Sequence, residues 1–203
     1  MTDLTVVQYA QIAAQVYDDP PQIGAADGPA RARMYPGGIL AFRGTDNAAT
    51  WETDFDADAT MVAGIGKVHD GFWDALAGIL PALLALPKPD VIVGHSEGAA
   101  LAALYAGVLC VIDRLPVAVY GFEPPRMCAD DTLHKLLDAK GVMRFFTSNG
   151  SDPVPLVPPW MSIPGDLSLI GPPRGPLPII EDHLIDHVIG SLSGAAAAQP
   201  KGR

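Results

Sequence analysis

Cysteine is almost missing from this chain: its 203 residues include two, Cys110 and Cys128. Two thiols so far apart in sequence make neither a disulfide framework nor a zinc ligand pair, and both read as buried small hydrophobes. Positive charge is scarce as well, with 13 Lys and Arg against 23 Asp and Glu for a formal net charge of -10. That balance argues against nucleic acid and anionic membrane surfaces as partners. Aromatic residues make up only 7%, so the core must come from the Ala, Leu, Val and Ile within a 49% hydrophobic share. The longest apolar run, Gly98 to Ile112, is shorter than the ~18 residues of a membrane span. The opening stretch "MTDLTVVQYAQIAAQVYDD" has neither a basic region nor an uninterrupted apolar one, so no signal peptide is expected. These absences predict a protein without stable membrane insertion, cytoplasmic by default.

What is present fits one domain of this length, expected over 1–193, with 194–203 a disordered tail. Val6, Ala10, Ala13, Ala14 and Tyr17 recur at helical spacing and stop before the Asp-Pro-Pro of Asp19 to Pro21. After them "GGILAFRGT" reads as a buried strand, "VHDGFWDALAGILPALLAL" as a long helix and "PDVIVGHS" as a second buried strand. A helix over Glu97 to Ile112 is apolar nearly all round. "PVAVYGF" (strand), "DDTLHKLLDAKG" (helix) and "VMRFFTS" (strand) follow. The Pro-rich stretch from Pro153 to Pro178 reads as an irregular excursion with a hairpin in "MSIPGDLSLIG", before a last helix around "EDHLIDHVIGSL". Strands alternating with helices predict a mostly parallel central sheet flanked by helices on both faces.

Within "VIVGHSEGAALAALYA", Gly94, Ser96 and Gly98 spell G-x-S-x-G. In a Gly-rich chain the pattern alone is weak, but here a buried strand runs into it and a helix runs out. That is the context a nucleophile elbow requires, because the turn is so tight that side chains two positions either side of the serine would collide. The turn presents the serine oxygen at the C-terminal edge of the sheet, with the Glu97 N–H at a helix N-terminus facing a developing oxyanion. A serine hydroxyl needs a base, and the base needs a carboxylate to fix its tautomer. In elbow folds the order is Ser, acid, His, which leaves His183 and His187 as bases. Asp152, in the loop after a later strand, is the expected acid, with Glu123 after the preceding strand as runner-up. His183 and His187 stand four apart, a spacing also used by metal ligands, but no third ligand is evident and no metal is expected.

The residues as a set resemble the class 3 (fungal-type) lipase family of α/β-hydrolases. "AFRGT" resembles its oxyanion strand, "VHDGF" the start of its long helix and "GHSEGA" its GHSxGG elbow. "YGFEPPR" resembles its FGxPR strand end, "SDPVPLVPP" its acid loop and "EDHL" its DHL before the last helix. The resemblance implies an α/β-hydrolase fold with Ser96 as nucleophile, Asp152 as acid and His183, rather than His187, as base. Thr45 and Glu97 then supply the oxyanion hole, and no cofactor is implied. Three departures stand out. Glu97 replaces a usually apolar residue, with Arg43 its expected counter-charge. Asp186 replaces an aromatic after DHL. The acid-to-base interval is shorter than in the large fungal members.

In that family the segment after the oxyanion strand carries a lid, here Asp46 to Gly66, rich in carboxylates and therefore a poor lipid anchor. Its Trp51, together with Trp160 and Leu169 of the Pro-rich excursion, is expected to contact substrate. The function implied is carboxylester hydrolysis on a small neutral ester or acylglycerol. A catalytically silent scaffold and an acyltransferase with the same triad are the alternatives.

Overall fold

The computed structural model describes residues 4–45, 58–173 and 177–198. Trp51 and most of the expected lid segment lie outside them. The chain opens with helix α1 (Val6–Asp18), closed at its start by a capping box in which the Thr5 side chain accepts from the Gln8 amide and Gln8 reaches back. Strands β1 (Arg31–Tyr35) and β2 (Ile39–Arg43) follow as an antiparallel pair. Next come β3 (Ala59–Val62) and β4 (Gly66–His69), also antiparallel, then α2 (Asp70–Ala85), β5 (Val91–His95) and α3 (Glu97–Val111). Strand β6 (Ala118–Phe122), α4 (Thr132–Ala139) and β7 (Met143–Asn149) lead to β8 (Leu167–Ile170) and α5 (Ile185–Ala198).

Among the described residues the main sheet runs β1-β2-β5-β6-β7-β8, parallel throughout except at β1. Its central strands are buried on both faces, as continuous apolar runs require. Ile39 and Ala41 of β2 pack in one core with Tyr9, Ala10, Ala13 and Val16 of α1 and Val188 and Leu192 of α5. The alternating Leu40 and Phe42 pack in the other, with α2, α3 and α4. Adjacent residues of one strand thus serve opposite cores, which is the period-two geometry of a pleated strand. Helix α3 is buried from Gly98 to Cys110, explaining why its sequence carries no polar face.

Several expectations are corrected. "MSIPGDLSLIG" is not a hairpin: Leu167–Ile170 pairs in parallel with β7, while Ser162 bridges to Cys128. The end of the expected lid segment is the β3–β4 hairpin, and β1 is an edge strand that the apolar pattern does not predict. Helix α5 is described to Ala198, and its "SGAAAA" end is rich in the best helix former.

Candidate active site

The site gathers where β5, β6 and β7 end side by side. Ser96 follows β5 directly, with φ 57° and ψ -131°, a conformation an L-residue adopts only under constraint. The constraint is visible on both sides. A Cβ on Gly94 would overlap the Gly98 carbonyl oxygen, and one on Gly98 would overlap the Phe42 carbonyl oxygen. The serine is then locked from within the sheet: its N–H donates to the Phe122 carbonyl oxygen at 2.9 Å, and its own carbonyl accepts from the Ala99 N–H at 2.9 Å. It occupies the N-cap position of α3, yet its side chain does not cap. The helix begins with the Glu97 N–H instead, leaving the positive end of the helix beside the hydroxyl.

Asp152 sits in the tight loop after β7, and His183 closes the short 3-10 turn Ile180–His183 that leads into α5. Both are buried, and His183 Nδ1 lies 2.7 Å from Asp152 Oδ2. The other carboxylate oxygen of Asp152 accepts from the Val154 N–H at 2.9 Å. Burial opposes ionisation of Asp152, but hydrogen bonds from His183 and Glu123 outweigh it and hold its pKa below the ordinary carboxylate value. His183 Nε2, also buried, has no hydrogen-bond partner among the described residues. A committed Nδ1 and an unpartnered Nε2 make this imidazole an acceptor looking for a proton. Glu123, Asp152 and His183 bring potential ligand atoms within 4.8 Å of one another. Within this cluster His183 Nδ1 and Asp152 Oδ2 are bonded directly to each other.

Three hydrogen bonds fix the turn that carries His183. Asn149 Nδ2 donates to the Asp182 carbonyl oxygen at 2.9 Å, and the Ser151 N–H donates to Asp182 Oδ2 at 2.9 Å. His95 Nε2 contacts the His183 carbonyl oxygen at 2.7 Å. Because a carbonyl only accepts, Nε2 carries the proton, and His95 Nδ1 accepts from the Tyr17 hydroxyl at 2.9 Å. Burial first, then the nearby His183 ring, pull the His95 pKa down to about 3, so this histidine stays neutral. Tyr17, Asn149 and Asp182 escape sequence reading. Only the adjacency of Asp182 to His183 hinted at any of them.

Thr45 follows Gly44, whose glycine is required: a Cβ there would lie 3.2 Å from the Ser96 Cβ and overlap the Tyr17 hydroxyl and the His95 carbonyl oxygen. The loop after β2 therefore packs directly on the elbow. Thr45 Oγ1 donates to Glu97 Oε2. Glu97 takes this hydroxyl, not the expected Arg43, whose guanidinium lies over the Tyr17 ring at 5.4 Å. Burial raises the Glu97 pKa against the opposing effects of the Thr45 hydrogen bond and the Arg31 charge.

Of the expected substrate contacts, Leu169 is 59% exposed and lines an open cleft of about 370 Å³ with Asp152, Leu156, Leu167 and Leu177. Trp160 is also exposed but does not line that cleft. His187 is the third residue of α5 and is half-buried.

An open, mostly parallel sheet with helices on both faces and a strained serine between strand and helix defines an α/β-hydrolase. More particularly, the model of the family Lipase (class 3) matches residues 39–162, over half the chain, and the chain belongs to that family. Its fold is shared by solved fungal lipases. Rhizomucor miehei triacylglyceride lipase is 19% identical with a TM-score of 0.69, over 88% of this chain and 91% of that one. The lipase from Rhizopus microsporus var. chinensis is 20% identical with a TM-score of 0.65, over 88% and 84%. Against the Rhizomucor miehei lipase propeptide complex, 23% identical with a TM-score of 0.57, the match covers 76% of this chain and only 62% of the other. No curated protein matches the chain in sequence.

Proposed function

We propose that this chain is a serine carboxylester hydrolase in which Ser96 is the nucleophile, His183 the base and Asp152 the acid. The observation that carries the reading is the buried 2.7 Å bond from His183 Nδ1 to Asp152, with Nε2 left without a hydrogen-bond partner among the described residues. Ser96 Oγ attacks the ester carbonyl carbon while its proton passes to His183 Nε2. The C–O bond to the leaving alcohol then breaks, and the alcohol departs with that proton. Water attacks the acyl-enzyme in turn, giving its proton to Nε2, from which it returns to Ser96 Oγ as the acid leaves. The N–H groups of Glu97 and Thr45 are the donors proposed for the oxyanion.

Substrate is a neutral ester or acylglycerol met without insertion into a bilayer. Among the described residues no helix is long and apolar enough to cross a membrane. A net charge of -10 opposes anionic surfaces. Leu156, Leu167, Leu169 and Leu177 offer a small apolar surface next to the acid loop, which suits short to medium acyl chains. A p-nitrophenyl ester panel of graded chain length, run on wild type and Ser96→Ala, tests both parts. Expected are turnover that peaks at short to medium chains and its loss in the variant. Equal turnover by the two proteins would overturn the reading.

A further inference from the structure

Glu123 has no evident place in a three-residue relay, yet the fold accepts a considerable cost to keep it. It is wholly buried, and its backbone is in the left-handed region at φ 52°, where a residue with a Cβ is disfavoured. It follows β6 as Asp152 follows β7. These strands are neighbours in register, Phe122 beside Thr147, so the two carboxyls emerge at adjacent strand ends. Glu123 Oε2 accepts from the Asn149 N–H at 3.0 Å. Oε1 is buried without a donor among the described residues. As a carboxylate it would be a stranded acceptor, whereas as an acid it is a donor beside Asp152. Two carboxylates this close in a buried site cannot both ionise, and His183 and Val154 already hold Asp152 in its ionised form. Burial first, then Asp152, raise the Glu123 pKa well above the ordinary value. Among the described residues the ionisable groups around Glu123 are Asp152 in the loop after β7 and Asp182 and His183 on the 3-10 turn.

We propose that Glu123 is a second acid of the relay: a protonated carboxyl that positions Asp152, and the group that orients His183 when Asp152 is removed. The proposal rests on the assignment of Ser96 and His183 above. With Asp152 gone, one of the causes that keep Glu123 protonated is removed while burial remains, and its carboxyl lies within the same 4.8 Å cluster as the imidazole.

The test is steady-state hydrolysis of a p-nitrophenyl ester across pH by wild type, Asp152→Ala, Glu123→Gln, the double variant and His183→Ala. Glu123→Gln keeps the volume and the acceptor for Asn149. Losing a lone triad acid typically costs about 10⁴-fold in kcat. With Glu123 standing in, Asp152→Ala should lose only about 100-fold or less, and the double variant should fall to the level of His183→Ala. The acid limb of the pH profile should move upward in Asp152→Ala, because Glu123 must ionise to act, and this limb should vanish in the double variant. If Asp152→Ala is already as inactive as His183→Ala, and adding Glu123→Gln changes nothing, the proposal is overturned. Should the cavity in Asp152→Ala prevent folding, Asp152→Asn gives the same comparison at nearly constant volume. Wild-type rates in Ser96→Ala or His183→Ala would instead overturn the underlying assignment, so the two failures are distinguishable.

Discussion

The ring of His95 donates a hydrogen bond from Nε2 to the main-chain carbonyl oxygen of His183, 2.7 Å away. The residue just before the elbow serine thereby anchors the backbone of His183.

Burial of the His95 ring gives the fold an acid sensitivity, which the bond to the His183 carbonyl oxygen only partly offsets. The His95 pKa is lowered from about 6.5 to about 3, so between these values the unfolded chain binds a proton that the folded chain does not. Stability contributed by neutral His95 is therefore present above pH 6.5 and declines as pH falls toward 3, at up to ~1.4 kcal/mol per pH unit. In His95→Gln this limb should disappear. Denaturant midpoints at pH 7 and pH 4 check it: wild type should lose clearly more than the variant between the two. Parallel losses would contradict the role given to His95.

The glycines of the elbow are steric requirements. Gly94→Ala and Gly98→Ala each press a methyl group into a backbone carbonyl oxygen, and each should destabilise by about 3 kcal/mol or more. Gly190→Ala in α5, where a Cβ meets nothing within 4 Å, should stabilise by about 1 kcal/mol through helix propensity. Thermal melts of the three variants measure the contrast.

How much of this was legible in the sequence follows from what kind of interaction fixes each part. The strands and α3 were readable because burial on both faces leaves continuous apolar runs, and the elbow because steric exclusion demands glycine at fixed offsets. Strand β1, "RARMY", was missed because it is an edge strand whose arginines break the apolar pattern. Strand β8 is short and largely exposed, so its pairing with β7 leaves little trace in composition. The buried pair of Asp152 and His183 followed from chain order and resemblance. Tyr17, Asn149 and Asp182 join the site only through hydrogen bonds between distant segments, for which a linear pattern carries no signal. The expectation for Glu97 went astray because charge suggested an arginine, whereas the side chain that reaches it is the nearer Thr45 hydroxyl.

Glu97 should act as a brake that tightens with pH. Burial raises its pKa, so the carboxyl is neutral in acid and gains charge as pH rises, next to the donors proposed for the oxyanion. A negative charge there opposes a negative transition state. Glu97→Gln keeps an acceptor for Thr45 and removes the charge. The ratio of its kcat/KM to that of wild type should rise with pH to about 3- to 10-fold. A ratio independent of pH would show that Glu97 stays neutral throughout.

The two C-terminal histidines should separate cleanly. His183→Ala removes the proton acceptor and should lower kcat by at least ~10³-fold, while His187→Ala should stay within about threefold of wild type. Single-turnover rates on a p-nitrophenyl ester decide between them. A larger loss at His187 would mean that α5 presents a different base.

The most direct measurement of the central claim is covalent labelling by a serine-directed fluorophosphonate, read by intact-mass and peptide mass spectrometry. One adduct per chain is expected, located on Ser96, formed at a rate that collapses in His183→Ala and absent in Ser96→Ala. An adduct on another residue, or an unlabelled Ser96 in a protein that still hydrolyses esters, would contradict it.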